Sequence, residues 1–344
     1  MTALRLGTRR SRLATTQSTH VAEALRALGH EVELVPIVTE GDVSRASLSS
    51  IGGTGVFAAA LREALVEGHI DLAVHSLKDL PTASHPELTI AAIPQREDPR
   101  DVVITRDGVT LADLGEGATV GTGSPRRVAQ LAALGWGIDC RDIRGNVETR
   151  LRMVDEGELD AVVLAHAGMR RLGLADRVSE VLDPLQMLPA PGQGALAVEC
   201  RSDREDIRAL LAPLDDAETR ACVEAERAVL AVLEAGCSAP LGALGEIVED
   251  VTSDGTITLE LSLRAFVGST DGSMELRRSV VGDPNDPVSV GRRLAELLLE
   301  DGAAQIMPVA ESGPSRRDPS ASPTPASPTR SQTPPTSTRT TPST

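Results

Sequence analysis

The spacing of apolar residues along the chain predicts that strands and helices alternate. Short, nearly continuous apolar runs are typical of strands covered on both faces, and they occur at residues 31–38, 70–76, 101–105, 159–165 and 194–200. Between these runs the apolar residues have helical spacing, which predicts helices at about 11–28, 56–67, 146–156 and 203–211 and one that starts at about residue 124. This alternation predicts an α/β fold with parallel sheets, and its restart after Pro94 indicates a second α/β unit.

The last third of the chain has a different pattern. A long amphipathic helix is predicted over about 216–235, with apolar residues recurring every three or four positions. Strands near 257–267 and 275–281 and a helix at about 287–300 complete a smaller α/β domain. From about residue 311 the chain consists almost entirely of Ser, Pro, Thr and Arg, which have almost nothing to bury, so we predict a disordered tail.

The composition narrows the possible function classes. Aromatic residues make up only 1% of the chain, so Ala, Val, Leu and Ile must fill the core. The net charge of −16 disfavours sequence-independent binding of nucleic acid, but it leaves room for a local arginine-lined pocket for a small anion. No stretch suits a signal peptide or a membrane span, and there is no CxxC or HxxxH spacing. We therefore expect a cytoplasmic protein without a metal site or a membrane partner.

Arginines lie where three further predicted strands, "ALRLGTR", "ATVGTG" (118–123) and "IDCRDIRG" (138–145), lead into the next helix. They are Arg9 in "LGTRRSRL", Arg126 and Arg127 in "VGTGSPRRVAQ", and Arg144 and Arg150 in "IRGNVETRL". The helix dipole disfavours cations at a helix N-terminus, so this placement suggests that an anion binds among them. Guanidinium groups bind carboxylates and phosphates bidentately, and the three junctions together predict a pocket for several such groups. The alternative is that each is a solvated surface arginine.

The same junctions carry residues suited to starting a helix. Ser11 and Ser124 can act as N-caps, and Pro125 suits the first helical position. The segment "GTGSPR" also partly resembles a dinucleotide-binding fingerprint. However, Arg126 stands where the third glycine would allow close packing of helix and strand, so we disfavour that interpretation.

The segment "AVHSLKDLPT" contains Lys78, the only lysine of the chain, directly before Asp79. Both residues follow an apolar strand, where α/β sheets collect their ligands. A lysine retained where nearly every other cation is arginine suggests a site that needs a compact ammonium group. A carboxylate at that place could act as an acid or base or stabilise a cation. The alternative is a pair of residues in a surface turn.

The four cysteines have different settings. Cys222 falls on the apolar face of the long helix and is expected in the core, while Cys140 and Cys200 lie in strand-like runs and are expected to be structural. Cys237 follows a glycine in a loop, which is an accessible place for a reactive or modified thiol, although a structural role stays open.

Eight motifs in this order resemble the hydroxymethylbilane synthase, or porphobilinogen deaminase, family over about residues 4–307. They are "TRRSRLATTQ", "GGTGVF", "DLAVHSLKDLPT", "GTGSPRRVAQL", "IRGNVETRL", "LAHAGMRRLGL", "LPAPGQGALAVECR" and "EAGCSAPLG". The resemblance implies three α/β domains, of which two are similar to the halves of a hinged, type II periplasmic-binding-protein-like fold. The expected ranges are 1–95 with 195–213, 100–190, and a smaller C-terminal domain at 216–308, followed by the tail at 311–344.

The resemblance also implies an enzyme, a transferase that polymerises four porphobilinogen molecules with loss of ammonia into hydroxymethylbilane, in porphyrin and heme biosynthesis. It implies one dipyrromethane cofactor per chain, joined to Cys237 by a thioether, a buried catalytic carboxylate at Asp79, and a monomer. Residues implied to bind the cofactor are Lys78, Thr122, Ser124, Arg126, Arg127 and Arg144. Residues implied to bind the substrate are Arg9, Ser11, Arg150, Arg171 and Gln193.

The chain departs from the family pattern at four positions. Thr54 replaces a frequent lysine, Arg12 a frequent proline, Gly123 a common serine and Pro125 a common apolar residue. These changes bear on individual contacts rather than on the reaction. The main alternative function is a non-catalytic, hinged anion-binding protein, which would account for the arginines equally well but would have no use for a special thiol.

Overall fold

A computed structural model describes residues 3–38, 56–233, 239–251 and 255–307, all within one compact unit that ends at Val309. The strands are β1 Leu4–Arg9, β2 Val32–Ile37, β3 Leu72–Ser76, β4 Leu88–Ala92, β5 Asp101–Thr105, β6 Thr119–Gly121, β7 Asp139–Arg141, β8 Ala161–Ala165, β9 Glu180–Val181, β10 Leu196–Arg201, β11 Leu241–Val251, β12 Ile257–Gly268 and β13 Glu275–Gly282. The helices are α1 Arg12–Ala27, α2 Val56–Val66, α3 Pro125–Ala133, α4 Val147–Asp155, α5 His166–Arg171, α6 Glu205–Leu211, α7 Ala217–Val232, α8 Pro287–Glu300 and α9 Ala303–Ile306. The predictions for Thr54, Cys237 and the tail lie outside the described residues.

The first two sheets have the same strand order and exchange one strand each. The first sheet runs β2-β1-β3-β10-β4 and the second β7-β6-β8-β5-β9. In each, three parallel strands are followed by one strand that runs antiparallel to its neighbours, β10 in the first sheet and β5 in the second. Both exchanged strands enter directly from the other sheet, so two segments of chain cross between the sheets.

The prediction of an α/β fold is confirmed, but the prediction of purely parallel sheets is wrong. A strand that enters from the opposite sheet arrives from the far side and therefore runs against its neighbours. Apolar periodicity does not carry this information, because a strand buried on both faces has the same sequence pattern in either direction. The sequence analysis also missed the short strands β4 and β9 and the acidic, glycine-containing β11.

The third sheet, β11-β12-β13, is antiparallel, and helices α7, α8 and α9 cover one face. Its core contains Leu261, Leu263, Val229 and Leu294, all buried. Cys222 is 7% exposed on the apolar face of α7, as predicted. The smaller C-terminal α/β domain is therefore confirmed.

A fully buried carboxylate on α7 fastens this third unit to both crossing segments. Glu226 is 0% exposed and accepts hydrogen bonds from Arg96 Nη1 at 2.6 Å and Nη2 at 3.0 Å. It also accepts from the backbone N–H of Gly192 at 2.6 Å and of Gly245 at 2.9 Å. Arg96 lies in the first crossing segment, Gly192 in the second and Gly245 in β11, so one side chain ties three parts of the chain together.

A second carboxylate stiffens the first crossing segment itself. Burial alone would raise the pKa of Asp98, but hydrogen bonds from Arg100 and His166 outweigh it and lower that pKa to about 2. The His166 Nδ1 atom lies 2.9 Å from Asp98 Oδ2 at the start of α5. This contact anchors the crossing segment to a helix of the second sheet.

Candidate active site

The segment with Lys78 and Asp79 lies at the carboxyl end of β3, in a single 3-10 turn, Leu77–Asp79. Asp79 is exposed, so the expectation that it would be buried is wrong, and its carboxylate is accessible to a ligand. Lys78 is half-buried, and its Nζ donates to Gln193 Oε1 at 3.2 Å. Because β1 runs parallel to β3 as its neighbour, Arg9 at the end of β1 lies at the same edge of the sheet.

Arg126 and Arg127 open helix α3 after the N-cap Ser124 and Pro125, as the sequence predicts. The Ser124 side chain makes no cap hydrogen bond. The two guanidinium groups turn inward, and the residues are only 3% and 5% exposed. Their shared partner is Asp101, which lies 2.7 Å from Arg126 Nη2 and 2.8 Å from Arg127 Nη2.

Backbone carbonyls complete the inner side of this arginine pair. Arg126 Nη1 donates to the carbonyl of Leu188 at 2.6 Å, and Arg127 Nη1 to that of Val163 at 2.7 Å. The Nε–H group of each arginine is buried and has no hydrogen-bond acceptor among the described residues. Buried donors of this kind are rare in folded proteins and leave capacity for a further anion.

These groups form one electrostatic cluster, which we call the cationic cluster: Lys78, Arg126, Arg127, Arg144 and Arg150. Burial, together with Arg127 and Arg126, lowers the pKa of Lys78 to about 8 against the opposing effects of Asp79 and Asp101. Burial, together with Arg127 and Arg144, lowers the pKa of Arg150 to about 10. The structure therefore brings together Lys78 after β3 and two of the three predicted arginine junctions, those of α3 and of β7–α4.

Arg144 and Arg150 hold the outer side of this cluster. Arg144 is exposed and pairs with Asp142 at 3.2 Å, and Arg150 Nε donates to the carbonyl of Gly145 at 3.0 Å. The nearby Asn146 side chain caps α4 by accepting from Thr149 N. An exposed arginine and a half-buried one at the mouth of the cluster are placed to meet an incoming anion.

The remaining predicted residues have more local settings. Ser11 caps α1 by accepting from Ala14 N at 3.3 Å, and Thr122 is buried with its hydroxyl accepting from Ser124 N at 3.2 Å. Gln193 is 1% exposed, with its amide engaged by Lys78 and Asp101.

Arg171 lines a cavity of about 570 Å³. This cavity is lined by α1, α5, the first crossing segment, the first residue of β10 and Leu214, and among the described residues none of the cationic cluster lines it. The Nη2 group of Arg171 donates a hydrogen bond to the carbonyl of Gly194 at 2.7 Å.

Two residues of this region were missed by the sequence analysis. Gln17 is 5% exposed on α1, and its Nε2 donates to Ser76 Oγ at 2.9 Å, two residues before Lys78. Asp101 is 0% exposed and lies at the centre of the arginine pair. Its only sequence signal is a carboxylate at the start of an apolar strand, which is common in surface turns as well.

The three described cysteines have unreactive thiols. Burial raises the pKa of Cys140 to about 11, of Cys200 to about 11 and of Cys222 to about 12. Since the thiolate is the reactive form, these side chains are inert near neutral pH. The prediction that they are structural fits this setting, whereas Cys237 lies outside the described residues.

Fold and site together define an α/β protein of two strand-exchanged sheets and a third antiparallel unit, with a concentration of cations suited to carboxylate-bearing ligands. A family model described as "Porphobilinogen deaminase, dipyromethane cofactor binding domain" matches residues 4–209, and one described as "Porphobilinogen deaminase, C-terminal domain" matches residues 220–300. The chain belongs to the porphobilinogen deaminase family.

Curated relatives agree over nearly the whole length. A porphobilinogen deaminase of Mycolicibacterium paratuberculosis is 55% identical over 313 residues, which cover 91% of this chain and 99% of the relative. One of Mycobacterium tuberculosis is 56% identical over 304 residues, covering 88% and 98%. A solved periplasmic substrate-binding protein from Coxiella burnetii is 13% identical, covers 61% of this chain and 91% of its own, and has a TM-score of 0.40. This last likeness is too distant to inform the site.

Proposed function

We propose that Asp79 is the catalytic carboxylate of this enzyme and that the cationic cluster binds the carboxylate groups of its cofactor and substrate. The chain is a transferase of the porphobilinogen deaminase family, which makes hydroxymethylbilane from porphobilinogen in porphyrin biosynthesis, with dipyrromethane as cofactor. The observation that carries the residue assignment is the exposed Asp79 directly beside Lys78, a lysine that interacts electrostatically with Asp79 and with both arginines of the pair. The family assignment does not favour the alternative of a non-catalytic anion-binding protein.

The residues around Asp79 fit a cofactor that carries several carboxylates. The buried Nε–H groups of Arg126 and Arg127 have no acceptor among the described residues, so the pair has donors to spare. Lys78 and Arg144 add charge on either side, and Thr122 and Ser124 add polar groups at the same helix start. Bound dipyrromethane supplies the pyrrole carbon to which the first substrate is joined.

We propose Cys237 as the attachment point. Its motif "EAGCSAPLG" follows helix α7 directly, and the thiols of Cys140, Cys200 and Cys222 are held in the unreactive protonated form by burial. A thioether requires a nucleophilic sulfur, so these three are poor candidates.

The chemistry at Asp79 is charge stabilisation followed by proton transfer. The C–N bond of porphobilinogen breaks with its electron pair on nitrogen, ammonia leaves, and the remaining methylene-pyrrole is a cation. The Asp79 carboxylate accepts a hydrogen bond from the pyrrole N–H and stabilises that charge. After the new C–C bond forms, the same carboxylate is placed to take up the proton that the attacked carbon loses. Four substrates and one water thus give one hydroxymethylbilane and four ammonia molecules.

The carboxylates of the substrate need charged and polar partners other than those that bind the cofactor. We propose Arg9 and Ser11 at the end of β1, Arg150 at the start of α4, and Gln193 and Arg171 near the second crossing segment for this purpose. Their spread over both sheets means that a bound ligand would contact both.

We also propose that the protein acts in the cytoplasm as a monomer, without nucleic acid, and that its domains follow the predicted boundaries. Its small-molecule substrate, its net charge of −16 and the division of the strands into three sheets support these proposals. Within the described part of the chain, no helix is both long and apolar enough to cross a membrane.

The test is a pair of substitutions measured for turnover and folding. In Asp79→Asn, kcat should fall by about 10²–10⁴-fold, because an amide cannot stabilise the cation or accept the proton, while the urea unfolding midpoint stays unchanged. Asp107→Asn, at another exposed position, is the control and should retain full turnover. Near-normal kcat in Asp79→Asn would remove Asp79 from its role. Intact mass should show a dipyrrole adduct that is lost in Cys237→Ser.

A further inference from the structure

Asp101 is the most completely enclosed carboxylate near the active site, and the proposed function gives it no task. It is 0% exposed at the first position of β5, where the first crossing segment enters the second sheet. Although burial by itself would raise its pKa, the guanidinium groups of Arg126 and Arg127 hold that pKa well below its usual range. Asp101 is therefore an anion at any pH at which the enzyme works.

A single amide joins this anion to the lysine beside the catalytic carboxylate. Gln193 Nε2 donates to Asp101 Oδ1 at 2.9 Å and to the carbonyl of Pro99 at 2.6 Å. Its Oε1 accepts from Lys78 Nζ at 3.2 Å. Because the amide donates on one side and accepts on the other, its orientation is fixed, and so is the position of the ammonium group.

The connected residues come from both sheets. Lys78 follows β3 of the first sheet, Asp101 opens β5 of the second, Arg126 and Arg127 belong to α3, and Gln193 lies in the second crossing segment. The two arginines disfavour a third positive charge at Lys78, and the carboxylates of Asp79 and Asp101 together oppose that effect and favour the ammonium form.

We propose that Asp101 is a positioning residue for the deaminase reaction: acting through Gln193, it holds the Lys78 ammonium beside Asp79 and fixes the Arg126–Arg127 pair in the same network. The proposal rests on the proposed function of Lys78 and Asp79. A purely structural role for Asp101 is the competing explanation, since a buried ion pair also contributes to folding specificity.

The single lysine allows a direct measurement that separates these explanations. The cofactor-loaded full chain, labelled with lysine carrying ¹³C at Cε, has one lysine signal, and its shift against pH gives the pKa of Lys78 without an activity assay. Removing the negative charge in Asp101→Asn should lower this pKa by about one unit or more, because Asp79 alone then opposes the two arginines at Lys78. The alkaline limb of the kcat/KM profile should move to lower pH by the same amount.

Two matched variants isolate the charge from the packing. Asp101→Glu keeps the charge but adds a methylene to a fully enclosed site, so it should lose stability and yet keep the pKa of Lys78 near that of the wild type. Glu199→Gln removes another enclosed carboxylate, 1% exposed in β10 and paired with Arg62 at 2.8 Å, and should also lose stability without moving that pKa.

The outcomes are distinct. An unchanged Lys78 pKa in Asp101→Asn, or an equal fall in Asp101→Glu, would overturn the proposal and leave Asp101 a structural residue. If Asp101→Asn does not fold, Gln193→Met removes the connecting acceptor instead and should also lower the pKa of Lys78, and an unchanged value there would overturn the proposal as well. Failure of the proposed function would show separately, as full turnover in Asp79→Asn.

Discussion

Replacing Glu226 by glutamine should destabilise the protein more than any surface substitution, because this carboxylate is enclosed and fully used. It accepts four hydrogen bonds of 2.6 to 3.0 Å, two from Arg96 and one each from the N–H groups of Gly192 and Gly245. All of these partners are donors. A glutamine offers one acceptor and places an NH₂ group against at least one of them.

The loss of folding free energy in Glu226→Gln can be estimated from the charge that it leaves unpaired. The Arg96 side chain is only 10% exposed, so Glu226→Gln leaves a largely enclosed guanidinium group without its counter-ion. Breaking a buried pair in this way costs about 3–5 kcal/mol. This is a large share of the roughly 5–15 kcal/mol by which folded proteins are stable, and about 3 kcal/mol lowers the ratio of folded to unfolded protein by about two orders of magnitude.

Urea unfolding followed by far-UV circular dichroism measures this loss. The midpoint should fall in Glu226→Gln with little change in slope, which indicates lower stability rather than a different unfolded state. Glu224→Gln is the control on the same helix: Glu224 is 38% exposed and, within the described ranges, pairs with Arg220 alone at 3.1 Å, so its loss should cost less than about 1 kcal/mol. A change below about 1 kcal/mol in Glu226→Gln would refute the view that this side chain fastens α7 to the crossing segments.

Three further substitutions test other contacts. In Arg12→Pro the proline suits the first position of α1, but the substitution removes the 3.2 Å ion pair between Arg12 and Glu148, which joins the first sheet's helix α1 to the second sheet's helix α4. The KM should therefore rise by less than about fivefold in steady-state kinetics, and the rise should be smaller at high salt, which screens the pair in the wild type. The stability that the ionised Asp98 adds over Asp98→Asn should be present in full above the unfolded-state pKa of 3.8. It should be lost progressively as pH falls through about 2, the folded-state pKa, which urea midpoints measured against pH would show. Gly291→Ala should lower Tm, because its Cβ would meet the Ala225 carbonyl.

Local sequence patterns predicted the elements well where burial and periodicity coincide. Helix α8 and strand β5 occupy the predicted residues, and α1 differs by one residue at each end. The direction of β10 and β5 could not be predicted in the same way, because it depends on which sheet the chain has just left. Strand β11 was missed because its outer half, "EIVEDV", has neither a continuous apolar run nor a strict alternation of apolar and polar residues.

For the site, the sequence predicted the cations but not what holds them. Arg126 and Arg127 were identifiable because two arginines at a helix start oppose the helix dipole. Their burial and their pairing with Asp101 depend on the crossing segment, which brings a residue 25 positions earlier beneath the helix. Gln193 was expected at the substrate by resemblance, yet its amide lies between Lys78 and Asp101, a contact that only the tertiary structure brings together.

The two enclosed carboxylates explain how an acidic protein can hold a positively charged site. Glu226 faces a single guanidinium group, so the charges balance and the contact serves to join parts of the chain. Asp101 and Asp79 together set two negative charges against the three positive ones of Arg126, Arg127 and Lys78, so the excess stays positive. The acidic residues that give the net charge of −16 lie outside this cluster, and their effect is screened over about 8 Å at physiological ionic strength. The excess positive charge around Asp101 acts on a ligand at contact distance. A ligand with several carboxylates therefore responds to the local excess rather than to the charge of the whole molecule.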